Sequence, residues 1–269
     1  MFLELICIAC GAGLAIPLSL VLVHHPWDFY IPILLFIGGW IAGVGVCFLV
    51  ELLACSVVSQ KKEYKTVSKW STFWFNNGIR FIQTHAHILV KGTDVDKIPL
   101  TEKFMLVCNH RSKFDNFIIT TQLRKRRIAF ITKKENKKIP IAGKFFHSLC
   151  YIEVDRDDRL QSLEAFKHAS EVMSNNAASI GVFPEGTRQS EKVIGDFHEG
   201  VFNIAIHAKA PIVVTALKNT DSIHKRYPRF TKVKFDVVAV IPYEEYEGLT
   251  AKAVSDKVHE MMESHLESM

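Results

Sequence analysis

Residues 104–115 read Phe104-Met105-Leu106-Val107-Cys108-Asn109-His110-Arg111-Ser112-Lys113-Phe114-Asp115. The apolar run Phe104–Cys108 has the length and content of a β-strand. It gives way at Asn109 to a polar loop, and Lys113–Leu123 then has helical spacing. The same strand–loop–helix rhythm extends to both sides. Ile88–Val90 reads as a strand ended by Gly92, and Ile128–Thr132, Leu149–Val154, Ser179–Phe183, Ile212–Leu217 and Val233–Ile241 read as further strands. Leu160–Ser174, Val201–Ala208 and the amphipathic Thr250–Leu266 read as helices. Alternation of this kind predicts an α/β fold, a mostly parallel sheet flanked by helices. In such folds the active groups gather in loops beyond the carboxyl ends of the strands.

The start of the chain is different. Residues 1–60 hold no Lys or Arg, and their charges are Glu4, Asp28 and Glu51. All 33 basic residues therefore fall in 61–269, against all but three of the 28 acidic ones, a balance of about +8 there. Phe2 to Val23 and Phe29 to Val58 each carry one charge, and each exceeds the ~20 apolar residues that a helix needs to cross the hydrocarbon core. His24-His25-Pro26-Trp27-Asp28 links them, with Pro to break a helix and Trp suited to an interface. The expectation is an N-terminal hydrophobic helical hairpin over 1–60. Whether it spans the bilayer or lies in one leaflet stays open, since Gly38, Gly39, Gly43 and Gly45 permit close packing or a bend. A cleaved signal peptide fits poorly, because the first run lacks a basic start. Lys61, Lys62, Lys65 and Lys69 follow the second run directly, which puts the body on the cytoplasmic face of a cell membrane. Residues 61–85, rich in Trp and Phe, are expected to form a linker helix, either interfacial or simply packed, before a domain over 86–269.

Six cysteines occur, four of them in the apolar block. Cys7 and Cys10 form a C-x-x-C without a partner pair of zinc spacing, so neither a metal site nor a secreted disulfide framework is expected.

Two loops carry groups suited to chemistry. His110 stands just past a strand, and Asp115 falls five residues on, in the first turn of the next helix. A carboxylate there can turn back onto imidazole Nδ1–H, fix the tautomer and leave Nε2 as a base. Alone the spacing is weak evidence, because a chain with 12 His meets an H-x4-D readily by chance and Asp115 also suits a plain helix start. After Ser179–Phe183 comes Pro184-Glu185-Gly186-Thr187-Arg188. Pro and Gly suit a tight turn, and Arg188 offers a planar fork for a phosphate. Glu185 can accept from hydroxyls or brace an arginine. An arbitrary surface turn with a solvated ion pair would look similar.

Asn109-His110-Arg111-Ser112-Lys113-Phe114-Asp115 and Phe183-Pro184-Glu185-Gly186-Thr187-Arg188 together resemble the N-H-x-S-x-x-D and F-P-E-G-T-R blocks of the glycerolipid acyltransferase family, the group containing 1-acyl-glycerol-3-phosphate acyltransferases. Val154-Asp155-Arg156 resembles its second block and Ala210-Pro211-Ile212-Val213-Val214 its fourth, so the resemblance covers roughly 88–220. Three positions depart from the pattern: Thr215 replaces a second Pro, Glu199 stands where a basic residue is common, and Glu153 makes the strand before Asp155 more polar.

The resemblance implies direct acyl transfer from acyl-CoA or acyl carrier protein, as co-substrate, to the free hydroxyl of lysophosphatidic acid. No further cofactor and no nucleic-acid partner are implied; membrane lipids are. His110 and Asp115 would be catalytic. Glu185, Gly186, Thr187 and Arg188 would hold the acceptor, with Arg156 and Lys134 as helpers for its phosphate or for the donor. Cys108 and Ser112 flank the site, but neither has a base of its own in the pattern, which disfavours a covalent acyl-enzyme. Other readings are an acyltransferase using glycerol 3-phosphate or another lysophospholipid, a hydrolase, and a silent lipid-binding protein of the same fold.

Overall fold

A computed structural model describes residues 2–155, 158–189 and 194–268. Two apolar helices come first, α1 (Phe2–Leu22) and α2 (Tyr30–Ser56), joined by a short turn at Pro26–Phe29. The expected hairpin forms, and both helices are long and apolar enough to cross a membrane. Its seam repeats every four residues: Leu3, Cys7, Gly11 and Ala15 are buried on α1, and Gly39, Gly43, Cys47 and Glu51 on α2. Of the four glycines expected at this contact only two serve it. A Cβ on Gly39 would lie 2.5 Å from the Cys10 carbonyl oxygen and one on Gly43 2.7 Å from Cys7 Cα, whereas Gly38 and Gly45 face open space. Small residues on one stripe let two backbones approach this closely.

Residues 61–85 are only partly helical. Helix α3 (Lys69–His85) starts where the Ser68 hydroxyl accepts from the Ser71 amide, an N-cap that fixes the helix start eight residues into the expected segment. It lies along the hairpin. The Trp70 indole donates to the Ala54 carbonyl at 3.0 Å, the Phe2 ring meets Trp74 at 5.7 Å, Thr84 donates to Glu4, and the His85 ring lies 6.1 Å from Trp40. Contact thus runs back along α2 from Ala54 to Trp40, about 21 Å at 1.5 Å per residue, and roughly 15 Å of hairpin extends beyond Trp40 to Tyr30.

The body is an α/β layer fold with helices packed on its sheet. Its strands are β1 (Ile88–Thr93), β2 (Met105–Cys108), β3 (Ile128–Lys133), β4 (Ile152–Val154), β5 (Ser179–Val182), β6 (Ile212–Lys218) and β7 (Thr231–Ile241). They lie in the order β1-β7-β6-β2-β5-β3-β4. The five strands from β6 to β4 are mutually parallel; β7 runs antiparallel to β6, and β1 follows β7. The central strand β2 has every residue buried, between β6 and β5.

Between the strands come α4 (Asp115–Gln122), α5 (Ala142–Ser148), α6 (Arg159–Ser174), α7 (Asn203–Ala208) and α8 (Ile223–Arg226), and α9 (Ala251–Ser268) follows β7. Helix α4 begins two residues later than its spacing predicts, because the Ser112 hydroxyl accepts from the Phe114 amide and holds a turn ahead of it. The strand expected from Leu149 begins only at Ile152: Leu149 caps α5, and Cys150 has φ +59. Glu153, polar for its place, sits on the edge strand β4 and pairs with Lys137 at 3.2 Å, as an edge strand permits.

Candidate functional site

The register of the central strands brings the two loops together. Val107 of β2 sits opposite Val182 of β5 on one side and Val214 of β6 on the other. The chain just past β2 and just past β5 therefore emerges side by side, although 75 residues separate His110 from Glu185.

Asn109 fixes the first loop. Its side-chain nitrogen donates to the Leu217 carbonyl at 3.0 Å and its oxygen accepts from the Leu217 amide at 2.7 Å. The side chain continues the β2–β6 ladder by one step, so the position of His110 is set by the sheet itself. Thr215 lies at an irregularity in the β6–β7 register, and its hydroxyl donates to the Val107 carbonyl at 2.9 Å.

His110 Nδ1 and Asp115 Oδ2 are 2.8 Å apart, as the spacing predicts. The same oxygen accepts from the Arg111 and Ser112 amides at 2.7 Å each. Asp115 is fully buried, and Oδ1 has no hydrogen-bond partner among the described residues. A buried carboxylate held by two backbone amides cannot swing away from the ring. One face of the imidazole stacks on Phe183, at 4.2 Å between centroids and 22° between planes. Phe183 is backed in turn by Phe130 at 6.0 Å. With Nδ1 engaged, Nε2 is the nitrogen left for a substrate.

The second loop grips the first through backbone. Glu185 is buried, and its Oε1 accepts from the His110 amide at 2.6 Å while Oε2 accepts from the Gly195 amide at 3.2 Å. Burial raises its carboxyl pKa, and the two amides act against that shift. The Gln189 amide then donates to the His110 carbonyl at 2.9 Å. Glu185, read from sequence as a group for hydroxyls or for an arginine, thus has both oxygens on main-chain amides. Gly186 turns the loop with φ +69. A Cβ there would meet the His198 ring at 2.7 Å. Gly186→Ala is expected to destabilise the fold by about 1–2 kcal/mol, from the left-handed backbone and the displaced ring; chemical denaturation measures it.

Thr187 and Arg188 are exposed on the same turn, and Arg188 has no ion-pair partner among the described residues. Lys134 is also exposed, just past β3, two strands from β2 in the sheet order. Arg156 lies outside the described residues. Cys108 is wholly buried, with burial pushing its thiol pKa well up, so it is held as a protonated, packed side chain. Ser112 is buried beneath the loop with its hydroxyl on the Phe114 amide. Sequence reasoning assigns no separate role to Asn109, Phe183, Gln189 or Gly195. Only the first two sit in recognisable blocks, and their partners lie far away in the chain.

A family model described as Acyltransferase matches residues 87–218. A Caenorhabditis elegans relative is 27% identical over 176 residues, covering 64% of this chain and 61% of its own length. The 1-acyl-sn-glycerol-3-phosphate acyltransferase of Saccharomyces cerevisiae is 25% identical over 239 residues, 85% of this chain and 72% of the yeast one. The fold resembles the crystal structure of the 1-acyl-sn-glycerophosphate (LPA) acyltransferase PlsC from Thermotoga maritima, with a TM-score of 0.65 and 22% identity over 85% of this chain and 91% of that one. The matched span encloses both loops that meet at His110, and residues 87–218 are an Acyltransferase-family domain, that of an O-acyltransferase.

Proposed function

We propose that the chain transfers a fatty acyl group from a thioester donor, acyl-CoA or acyl carrier protein, to the free hydroxyl of lysophosphatidic acid, giving phosphatidic acid. The observation that carries this reading is the 2.8 Å contact between His110 Nδ1 and the buried Asp115 carboxylate, which leaves Nε2 as the base. Nε2 takes the proton of the acceptor hydroxyl as that oxygen attacks the thioester carbonyl. The C–O bond forms, the C–S bond breaks, and the proton passes from the imidazolium to the departing thiolate. Asp115 stabilises the imidazolium in between. Phe183 offers its ring face to the same cation.

Glu185 acts through His110: it anchors the His110 amide and so fixes the loop. Arg188, exposed and without an ion-pair partner among the described residues, holds the acceptor phosphate, with Gly186 and Thr187 shaping the turn. Lys134 and Arg156 are assigned to the same anion or to the donor. The named activity of the yeast and Thermotoga relatives supports lysophosphatidic acid as acceptor.

The hairpin holds the body at the cytoplasmic face of the cell membrane, the side on which Lys61, Lys62, Lys65 and Lys69 stay. Roughly 15 Å of hairpin beyond Trp40 is about half of a ~30 Å hydrocarbon core, which favours insertion in one leaflet.

Purified chain in detergent is expected to release thiol from acyl-CoA only when lysophosphatidic acid is present. Thiol release at the same rate without acceptor would make it a hydrolase. Arg188→Ala is expected to raise the acceptor KM by about 10- to 100-fold, the loss of a charge-assisted phosphate contact of about 1.5–3 kcal/mol, with the donor KM unchanged.

A further inference from the structure

The turn after β6 carries a surface that the transfer chemistry does not use. Between Asn219 and Lys232 the chain has Lys225, Arg226, Arg229 and Lys232, all exposed, against one acid, Asp221. Asp221 faces inward to Arg111 at 3.9 Å. None of the four cations has an ion-pair partner among the described residues. Interleaved with them are Tyr227 and Phe230, exposed by 61% and 56%. Neither ring is loose: the His87 ring stacks on Phe230 at 4.8 Å and on Tyr227 at 5.6 Å, and His87 Nδ1 hydrogen-bonds the Pro228 carbonyl. Leu89, on the edge strand β1, adds exposed apolar surface nearby.

Two connections place this patch. His87 comes two residues after the end of α3, whose last residue, His85, lies against Trp40 of the hairpin. On its other side, His224 of α8 meets the Phe114 ring at 5.3 Å, next to the loop that carries His110. The patch therefore bridges the hairpin and the mouth of the site.

We propose that residues 224–232 with His87 form a second membrane contact, a basic–aromatic patch that seats on the headgroups of an anionic phospholipid leaflet beside the active site. Aromatic rings at headgroup depth ringed by unpaired cations suit such a surface. The patch continues the surface that α3 makes with the hairpin, at the level of Trp40, beyond which the hairpin runs on to its turn at Pro26–Phe29. An acyl-CoA donor would pair its phosphates with the cations and its adenine with one ring; what favours a lipid surface is the continuity of the patch with α3 and the hairpin. The inference rests on membrane attachment through the hairpin, and its test does not depend on transfer activity.

The test uses the full chain with Cys10→Ser and Cys150→Ser, which removes the two partly exposed thiols. A bimane label is attached through Phe230→Cys, or in a control through Lys252→Cys on α9, after the end of β7 that points away from the site. Each protein is reconstituted into phosphatidylcholine vesicles with or without phosphatidylglycerol, containing lipids brominated near the headgroup. The expected result is quenching at 230 and not at 252, stronger with phosphatidylglycerol. It falls at least several-fold at high salt and in a Lys225→Glu, Arg226→Glu, Arg229→Glu variant. An unquenched label at 230 overturns the proposal, as does quenching equal in the charge-reversed variant. A label blind to lipid but shifted by free acyl-CoA would also overturn it and assign the patch to the donor.

Discussion

His110→Ala is expected to lower the rate of acyl transfer by roughly 10^3- to 10^4-fold, the upper part of what a positioned general base contributes. The substitution removes the ring but not the loop. The His110 amide keeps its bond to Glu185, its carbonyl keeps the Gln189 amide, and Asp115 keeps the Arg111 and Ser112 amides. The protein should therefore fold, and far-UV circular dichroism and the detergent-extracted yield should match the parent. Purified variant assayed with excess acyl-CoA and lysophosphatidic acid gives the rate. Activity within tenfold of the parent would remove His110 from the chemistry.

Asp115→Asn comes second in size. The amide oxygen can occupy the place of Oδ2, where it still accepts from two backbone amides and the ring. What it lacks is charge. A carboxylate about 3–4 Å from an imidazolium is worth a few kcal/mol at the effective dielectric of a partly buried site. At about 1.36 kcal/mol per tenfold, the expected loss is on the order of 10^2- to 10^3-fold in kcat. The acceptor KM changes little, because Asp115 is buried away from substrate. Asp115→Ala is a worse probe: it leaves two buried amides unpaired, at about 1–3 kcal/mol each, and mixes stability with chemistry. A kcat loss below tenfold for Asp115→Asn would show that the imidazolium needs no counter-charge.

How much of the molecule is legible in the sequence depends on distance along the chain. The pairing of His110 with Asp115 needs only a strand end and the first turn of the next helix, and it forms as the spacing predicts. The hairpin is legible from length and apolarity alone. Which of its glycines touch the partner helix is not, because Gly38 and Gly39 look alike until a second helix chooses one face. The linker helix starts eight residues later than the aromatic content suggests, since that content says nothing about where Ser68 will cap it. Glu185 is the most telling case. Its residue type suggests a partner with hydroxyls or a charge, yet its oxygens sit on the His110 and Gly195 amides. Backbone donors do not show in a sequence, and the contact depends on a β2–β5 register set across 75 residues. The exposed rings of Tyr227 and Phe230 are illegible for a similar reason. His87, which stacks on both, belongs to the far end of the domain in sequence, just ahead of β1.

The central claim concerns where the acyl group goes. Purified chain is incubated with one acyl-CoA and an equal mixture of lysophosphatidic acid, glycerol 3-phosphate, lysophosphatidylcholine and lysophosphatidylglycerol, and the lipids are read by mass spectrometry. Phosphatidic acid is the expected dominant product, lost with His110→Ala and sharply reduced with Arg188→Ala. Free fatty acid in place of an acylated lipid, or a diacyl product confined to the lysolipids with larger headgroups, would contradict it.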